Sequence, residues 1–462
     1  MRITSEPCWA RAARLLVVGL LALTVPAGAV DLFETLALGE IPHALKEPEW
    51  VGSATRRIGI AWTAEEMYRE WRGDREISRF DGARTKLWAE EAIAGRWGVR
   101  YETLVRGRQI WMTEDVDRAD RFDLGTKEKR DALSLRHVGS DWALELGGCS
   151  SQSTFRGAYE LHPDIVAALG SSPGIDFDNP AFSRWYRLYS HGSDVSVSLS
   201  LSDSDIEHDL RTTGIRMALE VPLHRHAREF SAQVSLSGDH EWRPYLQWSQ
   251  MKDHGNGVST KDSRFEFGET VHAMRLTGRV LGVAHEGRKN WFAEAGRYRL
   301  DSMIYIKNNL ITLDPLFLFS TNEIQTLDTI PDVAFWGGRF GHAFHLFSRI
   351  SADAQYGLMR IPLQVVHRQT KISNLRTDRE ESTEIRDSRY DLHRLELNLR
   401  RPDRRGAWKT KLRLLVPAER KKPEKEEAAG AAPPGPSAPP AAEPEKHIRG
   451  GWQFTLEREF FL

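Results

Sequence analysis

Along most of the chain, apolar and polar residues alternate with a period of two. Val99, Tyr101, Thr103 and Val105 interleave with Arg100, Glu102, Leu104 and Arg106. Successive side chains of a strand point to opposite faces, so this spacing predicts a strand with one apolar and one charged face. Leu133 and Leu135, the turn Val138-Gly139-Ser140-Asp141, then Trp142, Leu144 and Leu146 predict a tight hairpin. Val195, Val197, Leu199 and Leu201 alternate with Ser196, Ser198, Ser200 and Ser202, which no helical period produces. The same pattern runs through Ile215 to Leu223, and through Phe230 to Leu236 into a turn at 238–241 and back along Trp242, Pro244, Leu246 and Trp248. Pro244 lacks a donor, so an irregularity is expected there. Further strands are predicted around 263–284, 291–306, 334–372, 388–400 and 408–416. The chain closes on Trp452, Phe454, Leu456, Phe460 and Leu462 against Gln453, Thr455, Glu457 and Glu459, with Arg458 interrupting the apolar face.

Three stretches depart from the pattern. Thr63-Ala64-Glu65-Glu66 has the form of a capping box and Gly73 that of a stop, predicting a short helix over about 64–72. Residues 160–190 combine a helical patch from Pro163 to Leu169 with Gly- and Pro-containing chain, predicting an irregular loop folded into the lumen of a barrel. Residues 418–447 are Ala-, Pro- and Glu-rich and are expected to be disordered.

The N-terminus bears on compartment. Arg2, Arg11 and Arg14 precede an apolar run from Leu15 to Val25 and the small residues Ala27-Gly28-Ala29, the layout of a cleaved secretory signal peptide. Removing 1–29 leaves Cys149 as the one cysteine, so no internal disulfide is available, and 61 basic against 64 acidic residues. That balance argues against a nucleic-acid partner. A mean hydropathy of -0.48 is compatible with a membrane barrel, where half of each strand faces water.

Long strands with charge on one face, and Trp97, Trp111, Trp142, Trp242 and Trp408 near strand ends, favour an all-β, transmembrane, antiparallel up-and-down barrel of about 14 to 18 strands with a short helical N-terminal prefix. The expected organisation is a signal peptide at 1–29, a periplasmic or plug-like segment at 30–82 and an outer-membrane barrel at 83–462. The terminal segment resembles the C-terminal strand of Gram-negative outer-membrane barrels, with Phe460 and Phe461 before a final Leu462 rather than a terminal aromatic residue. The patches Ala83-Arg84-Thr85-Lys86-Leu87 with Tyr101-Glu102, Asp120-Arg121-Phe122-Asp123-Leu124 and Leu313-Asp314-Pro315-Leu316-Phe317 resemble alginate-export-type barrels over about a tenth of the chain. That resemblance implies a large monomeric barrel with an Arg-rich lumen passing an acidic polysaccharide.

Candidate chemistry follows from the faces. If the apolar sides point outward, Arg100, Glu102, Arg106, Arg216, Glu220, Arg394, Glu396, Arg400, Lys409, Lys411 and Arg413 line the pore and favour polar, including anionic or polysaccharide, solutes. The bland counterpart is that these charges satisfy one another and stiffen the wall. No phosphate loop, zinc-spaced cysteine set or nucleophile elbow occurs, and no cofactor or metal is expected. Expected partners are outer-membrane lipids and the barrel-insertion machinery.

His191 and Ser193 have the spacing of the His-x-Ser pair of outer-membrane phospholipases and lipid A deacylases. They are expected on the lipid-facing side, with Asp205 or Glu207 as orienting group. An outer-membrane lipid hydrolase is therefore the alternative function, and a soluble or surface-attached all-β interaction protein the third reading. His224 and His226 flank Arg225 with same-face strand spacing, read either as a metal pair or as a polar turn.

Overall fold

Extended segments of this kind leave a row of backbone donors and acceptors on each side, and those rows are satisfied by lateral pairing. The computed structural model describes residues 56–72, 75–113, 121–160, 174–213, 220–236, 241–257, 265–285, 291–313, 320–347, 349–373, 379–419 and 446–461. The strands are β1 (Arg57–Arg72), β2 (Arg75–Ala94), β3 (Trp97–Thr113), β4 (Arg121–Val138), β5 (Trp142–Glu160), β6 (Gly174–His191), β7 (Val195–Thr213), β8 (Glu220–Leu236) and β9 (Trp242–Gly257). They continue as β10 (Phe265–His285), β11 (Trp291–Leu313), β12 (Ser320–Leu346), β13 (Ile350–Ser373), β14 (Arg379–Asp403), β15 (Gly406–Glu419), β16 (Lys446–Arg449) and β17 (Trp452–Phe461). Each is antiparallel to its neighbour in sequence up to β15, which pairs with β17, and β17 returns to β1. β16 and β17, parted by Gly450 and Gly451, both lie on β1 as one interrupted stave. The 17 segments therefore close as a 16-stave barrel, within the expected range.

The helix expected over 64–72 is replaced by the second half of β1. Thr63 Oγ1 lies 3.0 Å from Thr455 Oγ1 on β17, and Glu65 pairs in register with Gln453. A capping box is a local preference, and ladder pairing on both sides of β1 outweighs it. The barrel thus begins at Arg57 rather than at 83, while 1–55, including the expected signal peptide and the start of the expected prefix, lies outside the described residues.

Most of the irregular loop expected at 160–190 is strand as well. β6 starts at Gly174, and only 161–173 falls outside the described residues. Asn179-Pro180 misled because proline lacks a donor, yet the β6–β7 register passes from Asp178↔Asp209 to Ala181↔Ile206 with no slip. Pro244 likewise needs no irregularity. Pairing to β8 ends at Ser235↔Tyr245, so the missing donor falls where the β8 edge has stopped. Of the segment expected to be disordered, 418–419 end β15 and 446–447 begin β16, and 420–445 lies outside the described residues.

The two faces sort as the alternation requires. On β1, Ile58, Ile60 and Trp62 are 43–46% exposed, while Ala61, Thr63 and Glu65 are 2–8% exposed. The same division recurs around the ring. Leu133, Val234, Leu246, Leu281, Phe340 and Leu395 look outward, whereas Ser134, Gln233, Asp253, Glu294, Arg339 and Glu396 are buried on the inner wall. A water-soluble sheet protein has the opposite order, with its ionic side out.

Inward glycines let large rings lie flat on the wall. A Cβ at Gly59 would fall inside Trp88, one at Gly147 inside Trp185, and one at Gly282 inside Tyr245. Tyr245 uses the space over Gly282 to cross β10 and donate its hydroxyl to Glu294 on β11 at 2.5 Å. At the two-residue turn after β2, Gly95 has φ +51°, a left-handed conformation that glycine adopts without a Cβ clash. Gly282→Val should displace Tyr245 from Glu294 and lower stability by about 1–3 kcal/mol. The change is read as a lower urea midpoint for unfolding, and an unchanged midpoint would mean that the ring has an alternative seat.

Candidate functional site

The candidate site is the inner wall, because that is where ionic side chains are concentrated. Its central feature is one row of register partners, Arg108↔Gly82↔Glu65↔Gln453↔Arg413↔Glu396↔Gln355, which crosses β3, β2, β1, β17, β15, β14 and β13. Gly82 leaves room for Arg108 Nε to reach Glu65 Oε1 at 3.4 Å, and Arg106 Nη2 reaches the same oxygen at 3.4 Å. Gln453 donates to Glu65 at 3.0 Å and accepts from Arg413 at 3.0 Å.

Glu396 is the busiest member. Arg394 donates to it at 2.6 Å, Arg413 Nε at 2.9 Å and Asn398 at 3.0 Å, with the Lys411 ammonium at 3.2 Å. Asn398 also bonds Asp353 at 3.2 Å, which in turn accepts from Gln355 at 2.6 Å. Gln355 accepts from Arg339 at 3.0 Å, and Arg339 lies 3.7 Å from Glu294, where Tyr245 ends the chain of contacts. The result is a belt from β3 to β9 through the barrel seam. Removing any buried charge from it leaves its partners uncompensated in a partly dehydrated wall.

A second group lies nearer the short turns. Arg136 stands 3.5 Å from Glu90 and 3.4 Å from Glu145, Arg187 is 3.5 Å from Glu145, and the Trp185 indole donates to Glu145 at 3.3 Å. Arg100 covers the Trp88 ring at 4.9 Å and pairs with Glu102, which also meets Lys86 at 2.9 Å. On β15, Lys409 bridges Glu457 and Glu459, each at 3.3 Å. Farther round, Arg225 and Asp253 are paired and buried.

The outer face carries the complementary feature. β17, only 10 residues long, presents Trp452, Leu456 and Phe460 outward, close to the roughly 9–11 residues a tilted strand needs to cross a bilayer. At the short-turn end, His137 meets Trp97 edge-on at 4.5 Å and stacks on Trp142 at 4.7 Å, and Trp242, His285 and Trp291 pack at 4.8–5.8 Å. Trp408 sits at the start of β15. These rings form a girdle of the kind found at a membrane interface. Arg458, which breaks the apolar alternation, lies over Trp408 and Phe460 at 5.0 and 4.8 Å and reaches Asp403 beside the β14–β15 turn. It thus places its charge at the rim rather than in hydrocarbon. A closed sheet with an apolar belt outside and ion pairs inside satisfies its backbone and side chains only in lipid.

The chain is a membrane-spanning β-barrel. No family model and no curated protein matches it. Solved structures of similar shape include the "Copper transporter OprC", with TM-score 0.41 and 10% identity over 90% of this chain and 82% of that one. A Pseudomonas aeruginosa FadL homologue matches with TM-score 0.39 and 10% identity over 88% and 90%. A TodX monoaromatic hydrocarbon channel mutant matches with TM-score 0.39 and 8% identity over 89% and 91%. Likeness at this distance carries no residue across.

Of the residues predicted to line the pore, Arg100, Glu102, Arg106, Arg394, Glu396, Lys409, Lys411 and Arg413 all take part in the inner-wall contacts above. Arg400 shares their face of β14 near the short-turn end and is exposed. Arg216 lies outside the described residues, and Glu220 is the first residue of β8. Glu65, hidden in the segment read as a helix, was missed. Arg136, Glu145, Glu294, Arg339 and Gln453 were missed too, although each alternates with apolar neighbours and could have been found by that rule.

His191 and Ser193 are not brought together. His191 shares the inward face of β6 with Trp185 rather than facing lipid, and its Nδ1 lies 2.7 Å from Ser196 Oγ. The Ser193 hydroxyl donates to Asp194 in the turn at 3.1 Å. Asp205 is nine strand positions beyond Ser196, roughly 30 Å along β7, and Glu207 is farther still, so neither orients His191. His224 and His226 sit within β8, not in a turn.

Two substitutions separate the faces. Glu396→Ala should destabilise the barrel by about 3 kcal/mol or more by stranding Arg394, Arg413 and Lys411, measured by denaturant unfolding from vesicles. Leu246→Arg, on the outer face, should cost about 2–4 kcal/mol if it lies near the bilayer midplane. The readout is the folded fraction in vesicles, and no loss would mean that this face meets water.

Proposed function

We propose that this protein is an outer-membrane channel for polar solutes, with anionic saccharides the favoured class. The observation that carries the reading is the direction of the inner-wall contacts. Among the described residues, each ion pair given above lies within one strand, as Arg394 with Glu396, or joins adjacent strands or strands separated by one, as in Arg413 with Glu396 or Arg106 with Glu65. These contacts lie along the wall instead of crossing between opposite sides. A 16-strand ring is about 30 Å across between backbones for strands ~4.8 Å apart tilted by ~40°, and barrels of this size leave room for an aqueous path.

Charge supplies the preference. Within the belt the cations Arg106, Arg108, Arg339, Arg394, Lys411 and Arg413 stand against the carboxylates Glu65, Glu294, Asp353 and Glu396. With Glu128, 3.9 Å from Arg106, these described belt residues carry six positive and five negative groups, and the excess attracts anions while the pairing keeps the side chains fixed. The alginate-export-type patches point to the same solute class. No contact favours the lipid-hydrolase reading over this one.

Planar-bilayer recording tests the proposal. Discrete open steps are expected, with short blockades when an acidic oligosaccharide is added. Lys409→Glu combined with Arg400→Glu should move the reversal potential in a salt gradient toward that of cations. A barrel that inserts, shows heat-modifiable migration and passes no current would overturn the channel.

A further inference from the structure

Above the apolar belt the strands continue well past the membrane, and there the outer face becomes ionic. On β7 the outward series Val195, Val197, Leu199 and Leu201 gives way to Asp203, Asp205 and Glu207; on β8, Val234 and Phe230 give way to Arg228, His226 and His224; on β9, Leu246 and Trp248 give way to Lys252 and His254. The register places Asp205, His226 and His254 in one row across the three strands.

The side chains converge. His226 Nδ1 lies 2.8 Å from Asp205 Oδ1, and His226 Nε2 lies 3.0 Å from Asp203 Oδ1. One ligand atom from each of Asp203, Asp205 and His226 falls within 4.8 Å of the others. The His254 ring meets that of His226 edge-on with centroids 5.6 Å apart. His224 stands 4.0 Å from Glu207 one row farther out, and Arg228 donates to Asp203 at 2.9 Å one row nearer the membrane. Lys252, on the next strand in that same row, is exposed.

We infer that Asp203, Asp205, His226 and His254 form a site for a first-row divalent transition-metal ion on the outer surface of the barrel. Two imidazoles and two carboxylates are the donor set that zinc and copper(II) take, at about 2.0–2.2 Å for zinc. Calcium and magnesium select oxygen alone. The existing contacts suit the exchange. Asp205 and Asp203 now stand at opposite nitrogens of the His226 ring, so binding turns that ring to give one nitrogen to the ion and brings both carboxylates to the ion's side. Asp203 has its second oxygen available while Arg228 retains the first. Among the described residues this is the grouping in which histidines from adjacent strands share a row with an acid, and the bound ion would tie β7, β8 and β9 together outside the lipid. The site is independent of whether the lumen conducts.

The test uses the full barrel without an affinity tag, folded in detergent, with Cu2+ as the probe. Electron paramagnetic resonance should show one bound copper with hyperfine structure from two imidazole nitrogens. His226→Ala should weaken binding by about tenfold or more, His254→Ala should remove one nitrogen from the pattern, and His224→Ala should leave both unchanged. Heat-modifiable migration confirms that each variant is folded. Cu2+ should displace Zn2+ bound beforehand, with one-to-one stoichiometry by calorimetry. The inference is overturned if copper binds no tighter than millimolar, if His226→Ala binds like the parent, or if His224→Ala weakens binding as much as His226→Ala does.

Discussion

Everything in this molecule depends on backbone hydrogen bonds that have no substitute in hydrocarbon. A peptide group facing acyl chains has only another strand to bond, so an open edge is costly and the sheet closes on itself. Closure dictates that every strand be flanked on both sides, which is why β1 forms against β2 and β17 in spite of a helix-like start signal. It also tolerates proline at Pro180 and Pro244, where a neighbouring strand has paused or ended and no donor is needed. The side chains then have one degree of freedom left, which face to take, and lipid outside with water inside fixes it.

That inversion explains why the charges form a continuous belt rather than scattered surface pairs. Residues directly across from one another on an inward face are held close by the ladder. A charge placed at Glu396 therefore meets its neighbours on β15 and within β14 without paying for long side-chain searches. Glycine at 82 and 282 lengthens this reach by one strand, letting Arg108 touch Glu65 and Tyr245 touch Glu294. The wall is consequently stiff, and its ionic groups are positioned before any solute arrives.

Much of the architecture was legible in the sequence because alternation is local. The runs 99–105, 195–202 and 408–416 could be assigned face by face, and eight of the eleven predicted lumen residues take part in the inner-wall contacts described. What could not be read was lateral. Nothing near Glu65 announces Gln453 or Arg106 as its partner, since ring closure joins the first strand to the last. Local signals also misled where they competed with pairing: Thr63 to Glu66 reads as a cap, and Asn179-Pro180 reads as a break. His191 and Ser193 failed for a related reason. Ser193 lies in the hairpin turn that follows His191, so a two-residue spacing that would share a face on one strand does not do so there. The Asp205, His226 and His254 row needs three strands in register before it exists at all.

The seam where the ring shuts has a mechanical consequence. β17 is far shorter than most staves, and β16 continues it only after the Gly450-Gly451 interruption and a long insertion from β15. The two ladders that hold it are thus among the briefest in the sheet. Tension applied across the circumference would concentrate on this join, as on the weakest hoop of a cask, and the Arg413, Gln453 and Glu65 rivets that span it sit at the very place where parting would begin.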